Sequence, residues 1–154
     1  MRLYLVQHAA AKSEEEDPER PLSGRGWEDI RRVARYLKEH VDIRVEEIKH
    51  SGKLRAEQTA QALAEELSPP KGIAKVEGLE PLADVELWAE RLAKIDEETM
   101  LVGHLPHLSR LASRLILGDE EQKVVSFRMG GVVCLERDEE GNWSVGWTLI
   151  PELV

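Results

Sequence analysis

The chain has 154 residues, with 21 lysine and arginine residues against 30 aspartate and glutamate residues, for a net charge of −9. This length suits one compact domain spanning residues 1–154. The acidic balance argues against nucleic acids and anionic membranes as general partners, because both bind basic surfaces. No apolar stretch approaches the roughly 20 residues of a membrane-spanning helix. The N-terminus does not resemble a secretory signal, and a single cysteine, Cys134, fits a reducing cytoplasm.

The first half of the chain alternates strand-like and helix-like patterns. Short apolar runs are typical of buried strands, whereas apolar residues three or four positions apart indicate one face of a helix. Pro18 and Pro21 favour a loop, and the hydroxyl of Ser23 suits a helix N-cap directly after it. The predicted elements are a strand at 2–7, a loop at 9–22, a helix at 24–40, a strand at 45–51, a helix at 53–67 and a short strand at 73–77.

The second half begins in the same way but ends in consecutive strands separated by turn residues. Strands that alternate with helices and then form hairpins predict a three-layer α/β/α sandwich. Its sheet is expected to be mostly parallel, with an antiparallel C-terminal edge. The predicted elements are a helix at 84–95, a strand at 99–103, a helix at 104–117 closed by Gly118, and strands at 123–128, 131–137 and 143–150.

Side chains capable of chemistry stand where three of the predicted strands end. His8 follows the first strand, and His104 follows a later one. Ser51 and Arg55 lie where a third strand gives way to a helix. Ligands of open α/β sheets bind beyond the carboxyl ends of the strands, so we expect these side chains to meet at one rim. A lone histidine is more often structural, but this grouping favours a functional site.

The grouping suits phosphoryl transfer. A neutral imidazole is a competent nucleophile toward phosphorus, and the resulting phosphoramidate is readily hydrolysed. Arginine offers a planar fork to two phosphoryl oxygens, and a second histidine can donate a hydrogen bond or a proton. His104 also precedes a helix whose first free N–H groups favour an anion.

A metal hydrolase is the competing enzyme class, because His104 and His107 are three positions apart and carboxylates are plentiful. The sequence has no HExxH motif and no cluster at ligand spacing, so we predict no metal and no cofactor. We expect His107 on the helix surface or at the rim of the pocket. Cys134 falls in an apolar run and is expected to be a small buried hydrophobe rather than a nucleophile.

Several motifs together resemble the histidine phosphatase superfamily, in its compact branch of SixA-type protein phosphohistidine phosphatases. They are LYLVQHAAA, RPLSGRG, SGKLRAEQTA, LVGHLPHLSRL and the closing GNWSVGWTLIPEL, and they run through most of the chain. The serine-to-RAEQTA segment together with a strand-terminal Gly-His is a specific combination. The resemblance implies a phosphoglycerate mutase-like fold and a phosphatase.

The resemblance also implies roles for individual residues. His8 is expected to be the transiently phosphorylated nucleophile, with Arg55 and His104 in the phosphate pocket. Arg20 matches the arginine of the Arg-Pro-Leu segment and is expected to reach the phosphate. The alternative is a surface arginine that balances the charge of the acidic residues 14–17. Ser51 matches the family's serine, either as a turn hydroxyl or as a direct phosphate contact.

Gln7 departs from the family pattern, which has an arginine there that clamps the phosphoryl group together with Arg55. A glutamine keeps an amide donor but loses the charge and the fork. A hydrogen bond to a charged partner contributes about 1.5–3 kcal/mol, so the loss amounts to roughly 10- to 100-fold. Two alternatives follow: a slower enzyme or one for a less charged substrate, or a relative that binds phosphorylated groups without turnover.

The general acid is left open among three carboxylates, Glu77, Glu80 and Asp84, with Glu80 as the preferred candidate. Each is also explained as a loop or helix-cap carboxylate. A protonated imidazole leaves readily, so an ill-defined acid favours a phosphoramidate substrate over an alkyl phosphate. We therefore expect a phosphohistidine-bearing protein as the partner, with a small phosphorylated molecule as the alternative. The acidic run at 13–19 is either a solvated loop or a device that orients a charged partner.

Overall fold

The computed structural model describes all of residues 1–154 and contains six strands and four α-helices. The strands are β1 (Arg2–Gln7), β2 (Ile48–His50), β3 (Ile73–Lys75), β4 (Thr99–Gly103), β5 (Val132–Arg137) and β6 (Trp143–Leu149). The helices are α1 (Gly24–His40), α2 (Leu54–Leu67), α3 (Glu86–Lys94) and α4 (His107–Leu117), and a short 3-10 helix follows at Pro151–Leu153.

All six strands belong to one sheet, in the order β3-β2-β4-β1-β5-β6. The first four of these pair in parallel, whereas β5 is antiparallel to both β1 and β6. This confirms the predicted mostly parallel sheet with an antiparallel C-terminal edge. None of the helices is both long and apolar enough to cross a membrane.

Strand β1 shows how the sheet separates two cores. Successive side chains of a strand point to opposite faces, and every second residue therefore joins a different cluster. Tyr4 and Val6 pack with buried residues of α1 and α2, while Leu3 and Leu5 pack with buried residues of α3 and α4. All four residues from Leu3 to Val6 are apolar because helices cover both faces of the sheet there, which confirms the three-layer sandwich.

The expected strand at 123–128 was wrong. Its side chains do alternate, with Val125 and Phe127 buried in the core beside α3 and α4, but the segment forms no ladder. Strand β5 already pairs with β1 on one side and β6 on the other, so no edge is free for this segment beside it. Helix α4 also begins later than expected, at His107, which leaves His104 in the loop that follows β4.

The beginning of α1 is attached to the segment that leaves β1. Ser23 caps the helix as expected, because its hydroxyl accepts a hydrogen bond from the Gly26 N–H at 3.1 Å. The same hydroxyl donates to the Ala10 carbonyl at 3.2 Å. A side chain at Gly26 would collide with that carbonyl, so glycine is required for the close approach. The RPLSGRG motif thus sets the path of the loop beside the rim.

Candidate active site

Three neighbouring strands, β2, β4 and β1, end at the same edge of the sheet. The His8 N–H continues the ladder by donating to the Gly103 carbonyl at 3.0 Å. This bond brings His8 beside His104, and the centroids of the two rings lie 5.2 Å apart. The parallel order of the strands is therefore what brings together histidines that are far apart in the sequence.

His8 is 8% exposed and its ring has a defined orientation. The Nδ1 atom lies 2.7 Å from the Ala9 carbonyl oxygen, and a carbonyl only accepts, so Nδ1 carries the proton. Burial lowers the pKa of His8 to about 4, and the charges of Arg55 and Arg20 act in the same direction. At neutral pH the ring is therefore uncharged, and Nε2 keeps its lone pair.

His104 is 1% exposed, and its Nε2 lies 2.6 Å from the Ser51 hydroxyl oxygen. Burial lowers its pKa to about 3, with His8, Arg55 and other basic groups acting in the same direction. Ser51 Oγ already accepts the Lys53 N–H at 3.3 Å and has no other acceptor for its own hydrogen. In the tautomer in which Ser51 donates to Nε2, the His104 proton lies on Nδ1, a buried atom without a partner.

The Ser51–His104 contact is a relationship that sequence reasoning missed. Ser51 was expected to be a turn hydroxyl or a phosphate contact, and its bond to the Lys53 N–H does close the turn after β2. The second partner follows from the adjacency of β2 and β4, which pair through His50 and Val102. The available signal was a hydroxyl at one strand end and a histidine at another, but the strand order was needed to join them.

Arg55 and Arg20 both place positive charge near His8, and Arg55 also acts on His104. Both charges lower the pKa of His8, and the Arg20 charge lowers that of Arg55, second to burial. The Nε of Arg55 is buried without a partner. The Nε of Arg20 donates to the Lys12 carbonyl at 3.0 Å rather than to a carboxylate of the acidic run. The guanidinium groups are thus close enough to act on one another and on His8.

Gln7 lies at the end of β1 and is nearly buried, with its Oε1 atom in contact with no hydrogen-bond donor. Its backbone carbonyl and that of His8 both receive the Gly130 N–H, at 3.0 and 3.2 Å. Gly130 has a φ of +75°, a left-handed conformation that favours glycine, and an added Cβ would lie 3.3 Å from a Pro151 side-chain atom. The turn before β5 thereby holds the strand end that carries Gln7.

Two side chains of α2 were not anticipated as parts of the site. The fully buried Thr59 hydroxyl accepts the Ala9 N–H at 3.0 Å and donates to the Arg55 carbonyl at 2.7 Å. Gln58 Oε1 accepts the Leu22 N–H at 2.8 Å, at the far end of the 9–22 loop. The RAEQTA motif therefore carries an arginine and also two residues that attach the segments bearing His8 and Arg20.

Each of the three candidate acids has a partner within the same region of the chain. Glu77 forms an ion pair with Arg91 at 2.9 Å, and Asp84 accepts the Glu86 N–H at 3.0 Å near the start of α3. Glu80 is exposed, and its Oε2 accepts the Gly78 N–H at 3.2 Å. The structure therefore gives each of these carboxylates a local partner within the 77–91 region.

The expectation for His107 was wrong, because this residue is 0% exposed rather than on the helix surface or rim. Neither of its ring nitrogens has a hydrogen-bond partner. Burial lowers its pKa to about 4, although the charges of Glu80 and Asp84 oppose that shift. The start of α4 packs its first residue inward, which no single-sequence pattern distinguishes from an outward one.

The comparisons with known proteins agree with this geometry. A model of the histidine phosphatase superfamily, branch 1, matches residues 3–100, which is more than half of the chain. The chain belongs to the histidine phosphatase superfamily. It is 28% identical to the phosphohistidine phosphatase SixA of Escherichia coli K12, over 98% of this chain and 94% of that relative. The expected family is confirmed, and with it the assignment of the chain as an enzyme of a phosphatase family.

Solved structures agree with both the fold and the family. The protein histidine phosphatase SixA in complex with tungstate superposes with a TM-score of 0.84, at 26% identity and over 99% of each chain. Two more distant structures share the fold alone. The alpha-ribazole phosphatase of Shigella flexneri has a TM-score of 0.73, at 17% identity over 94% of each chain. The phosphoglycerate mutase of Plasmodium falciparum has a TM-score of 0.70, at 18% identity over 95% of this chain and 88% of that one.

Proposed function

We propose that the chain hydrolyses phosphohistidine on a protein, through a covalent phosphohistidine intermediate on His8. The observation that carries this proposal is the state of the His8 ring. Its Nδ1–H is held by the Ala9 carbonyl at 2.7 Å, and burial keeps the ring uncharged at neutral pH. The Nε2 lone pair is thus available for attack without a separate base.

The reaction divides into two displacements at phosphorus. In the first, His8 Nε2 forms a bond to phosphorus while the P–N bond of the substrate breaks, and the substrate imidazole, already protonated on its other nitrogen, leaves as a neutral histidine. In the second, water attacks the phosphorus on His8, the new P–N bond breaks, and inorganic phosphate is released. The sum is phosphohistidine and water in, histidine and phosphate out, with His8 regenerated.

Positive charge and N–H donors stabilise the transferring phosphoryl group. Arg55 and Arg20 both act electrostatically on His8, which supports a role for both guanidinium groups at the phosphoryl oxygens. His104 adds a neutral ring whose unpartnered Nδ1 carries a proton once Ser51 donates to Nε2. Each such donor is aligned before the substrate arrives, which is the condition under which it lowers the barrier most.

The leaving group explains why a phosphoramidate suits this site better than an alkyl phosphate. The carboxylates proposed as acids from the sequence have partners within the 77–91 region. None is hydrogen-bonded to His8 or His104, although the charges of Glu80 and Asp84 act on the nearby His107. An alkoxide requires a strong acid to leave, whereas a protonated imidazole does not. A site with two arginines, two neutral histidines and no carboxylate hydrogen-bonded to either histidine is therefore matched to a P–N bond.

Gln7 favours a second candidate function, which is phospho-ligand binding without turnover. The family arginine at this place would supply a charge that the amide lacks, while the buried Oε1 of Gln7 has no donor to satisfy it. Binding of a phosphorylated group needs only part of the positive charge that transfer needs. We favour the hydrolase because His8, Arg55, Arg20 and His104 are all present.

A substrate comparison tests the proposal. Phosphate release is measured from phosphoimidazole, from a phosphohistidine peptide and from simple sugar phosphates, with His8→Ala as the control. The hydrolase account predicts release from both P–N substrates, little from the sugar phosphates and none with His8→Ala. Faster turnover of the sugar phosphates would contradict the substrate class, and binding without release would identify the non-hydrolytic alternative.

A further inference from the structure

A groove of about 250 Å³ runs alongside the candidate active site. One wall is the loop that follows β4 and the start of α4, with Leu105 and Pro106 exposed on it. The other wall is the segment at 123–128, which was expected to be a strand and instead crosses the surface without a ladder. Phe127 is buried at its base, so the floor is apolar.

Both walls of the groove lead directly into the site. Leu105 is the residue after His104, whose ring lies beside that of His8. On the other wall, the Arg128 carbonyl accepts the Gly131 N–H at 2.9 Å in a tight turn. The residue inside that turn, Gly130, donates its N–H to the carbonyls of Gln7 and His8. A molecule with its phosphoryl group at His8 therefore has this groove as its neighbour.

The charge of the groove is opposite to that of the protein. The chain carries −9 overall, yet the groove is lined by two cations, Lys123 and Arg128, and by no acidic residue. Both cations are exposed, and neither side chain takes part in the ion pairs or side-chain hydrogen bonds of the structure. Glu14 of the acidic run is placed differently, because its charge acts on Arg55 of α2 and raises the pKa of that arginine.

We propose that this groove binds the polypeptide next to the phosphohistidine, through one apolar side chain on the floor and an acidic side chain against Lys123 and Arg128. The inference rests on the proposed function and specifies its substrate class. A volume of about 250 Å³ is below the roughly 300–1,000 Å³ of pockets that enclose a small-molecule ligand. It suits one or two side chains of a protein segment, and the open walls allow that segment to continue.

The acidic run supplies orientation. An acidic segment is repelled by Glu14, which acts on Arg55 of α2, and is attracted by Lys123 and Arg128 in the groove. Such an arrangement favours one direction of the polypeptide over the reverse, because like charges placed together cost binding energy. The contribution is chiefly to association and to KM, since exposed charges act mainly on encounter.

The test uses two phosphohistidine peptides that differ only in having acidic or basic flanks, together with phosphoimidazole. The variant is Lys123→Glu/Arg128→Glu, and the control is Lys71→Glu/Lys94→Glu, two exposed lysines that do not line the groove. We expect the groove variant to raise KM for the acidic peptide by roughly 5- to 30-fold. Its kcat/KM for phosphoimidazole should remain within about 2-fold of the unaltered protein, and the control should change neither value.

Binding is measured in parallel, so that the inference does not depend on turnover. The probe is the same pair of peptides carrying a stable triazole analogue of phosphohistidine, followed by fluorescence anisotropy. Tighter binding of the acidic peptide, lost in the groove variant and kept in the control, supports the inference even if no phosphate is released. Equal affinity for the two peptides, or an equal loss in both double variants, would overturn it. Absence of phosphate release with the expected binding pattern would instead refute the proposed hydrolase.

Discussion

The hydroxyl oxygen of Ser51 lies 2.6 Å from Nε2 of His104, and this contact joins the ends of two neighbouring strands. Ser51 follows β2 and His104 follows β4. The hydroxyl also accepts the Lys53 N–H at 3.3 Å, so one side chain joins the turn after β2 to the imidazole. The contact orients a ring that is otherwise held by its burial alone, and when the hydroxyl donates, the proton of His104 lies on Nδ1.

Replacing Ser51 by alanine removes the hydrogen bond to His104 together with the bond from the Lys53 N–H in the turn after β2. We expect kcat to fall by roughly 3- to 10-fold, the value of one neutral hydrogen bond of about 1 kcal/mol. Steady-state kinetics on phosphoimidazole measure the effect. Ser113→Ala is the matched control, because its hydroxyl is also buried but donates to the Ser109 carbonyl within α4. An unchanged kcat in Ser51→Ala would show that His104 needs no such orientation.

Thr59 is expected to position His8 relative to Arg55. In Thr59→Val the shape is retained, but the Ala9 N–H loses its acceptor inside the protein. An unsatisfied buried donor costs about 1–3 kcal/mol, and part of that cost is relieved by displacement of the strand end. We predict that kcat falls by roughly 10-fold or more with little change in KM, measured well below the midpoint of unfolding.

Two further variants distinguish an effect of Thr59 on the position of His8 from a general loss of protein stability. Thr99→Val removes an equally buried hydroxyl at the opposite end of the sheet, where its partner is the Glu97 carbonyl. It should lower the melting temperature by a similar amount and leave kcat unchanged. Thr59→Ser should restore kcat, since it restores the hydroxyl. If both valine variants lose the same activity, Thr59 has only a structural role.

The sequence predicted the fold best where several consecutive residues are apolar and buried. The runs Leu3–Val6 of β1 and Met100–Val102 of β4 are apolar and buried, and a histidine follows each strand. The two strands and the rim beyond them could therefore be predicted, whereas their place in the middle of the sheet could not. Helix α1 was predicted with the same bounds, because its apolar face and the Ser23 cap are local signals. Local signals therefore sufficed for the sandwich and for the residues at strand ends.

The remaining features depend on contacts between distant segments. The apolar pattern at 123–128 predicted a strand, but no edge of the sheet was free beside β5 to pair with this segment. The inward side chain of His107, the Ser51–His104 bond and the Thr59 bridge each depend on which strands and helices lie side by side. No pattern within a single window carries that information.

His107 makes the stability of the protein sensitive to acid. Its pKa is about 4 in the folded protein, against 6.5 in the unfolded chain, so between these values the unfolded state binds the extra proton. Stability therefore falls as pH decreases from about 6.5 toward 4, and His107 contributes a loss of about 2 kcal/mol by pH 5. His107→Leu should reduce the drop in melting temperature between pH 7.5 and pH 5.

The control for this effect is His40→Leu, which removes an exposed histidine at the end of α1. It should leave the dependence of melting temperature on pH close to that of the unaltered protein. Part of the acid sensitivity should persist in His107→Leu, because burial lowers the pKa values of His8 and His104 in the same direction. An identical slope in His107→Leu and the unaltered protein would contradict the assignment.

Gln7→Arg tests whether the missing charge limits the reaction. An arginine at the end of β1 would lie beside His8 and would add a cation to those of Arg55 and Arg20. We expect kcat/KM for a phosphohistidine peptide to rise by about 10-fold, the value of roughly 1.4 kcal/mol in the transition state. Gln7→Leu, which removes the amide without adding charge, should fall below the unaltered protein. An unchanged or lower rate in Gln7→Arg would mean that the pocket is adapted to glutamine.

The most direct test of the account is to trap the intermediate on His8. The protein is mixed with a ³²P-labelled phosphohistidine peptide, quenched within milliseconds to seconds, and analysed for label that is stable to base and labile to acid. The account predicts such label on the unaltered protein and none on His8→Ala, with phosphate release lost in the same variant. Label retained by His8→Ala, or phosphate release by that variant at the normal rate, would contradict it.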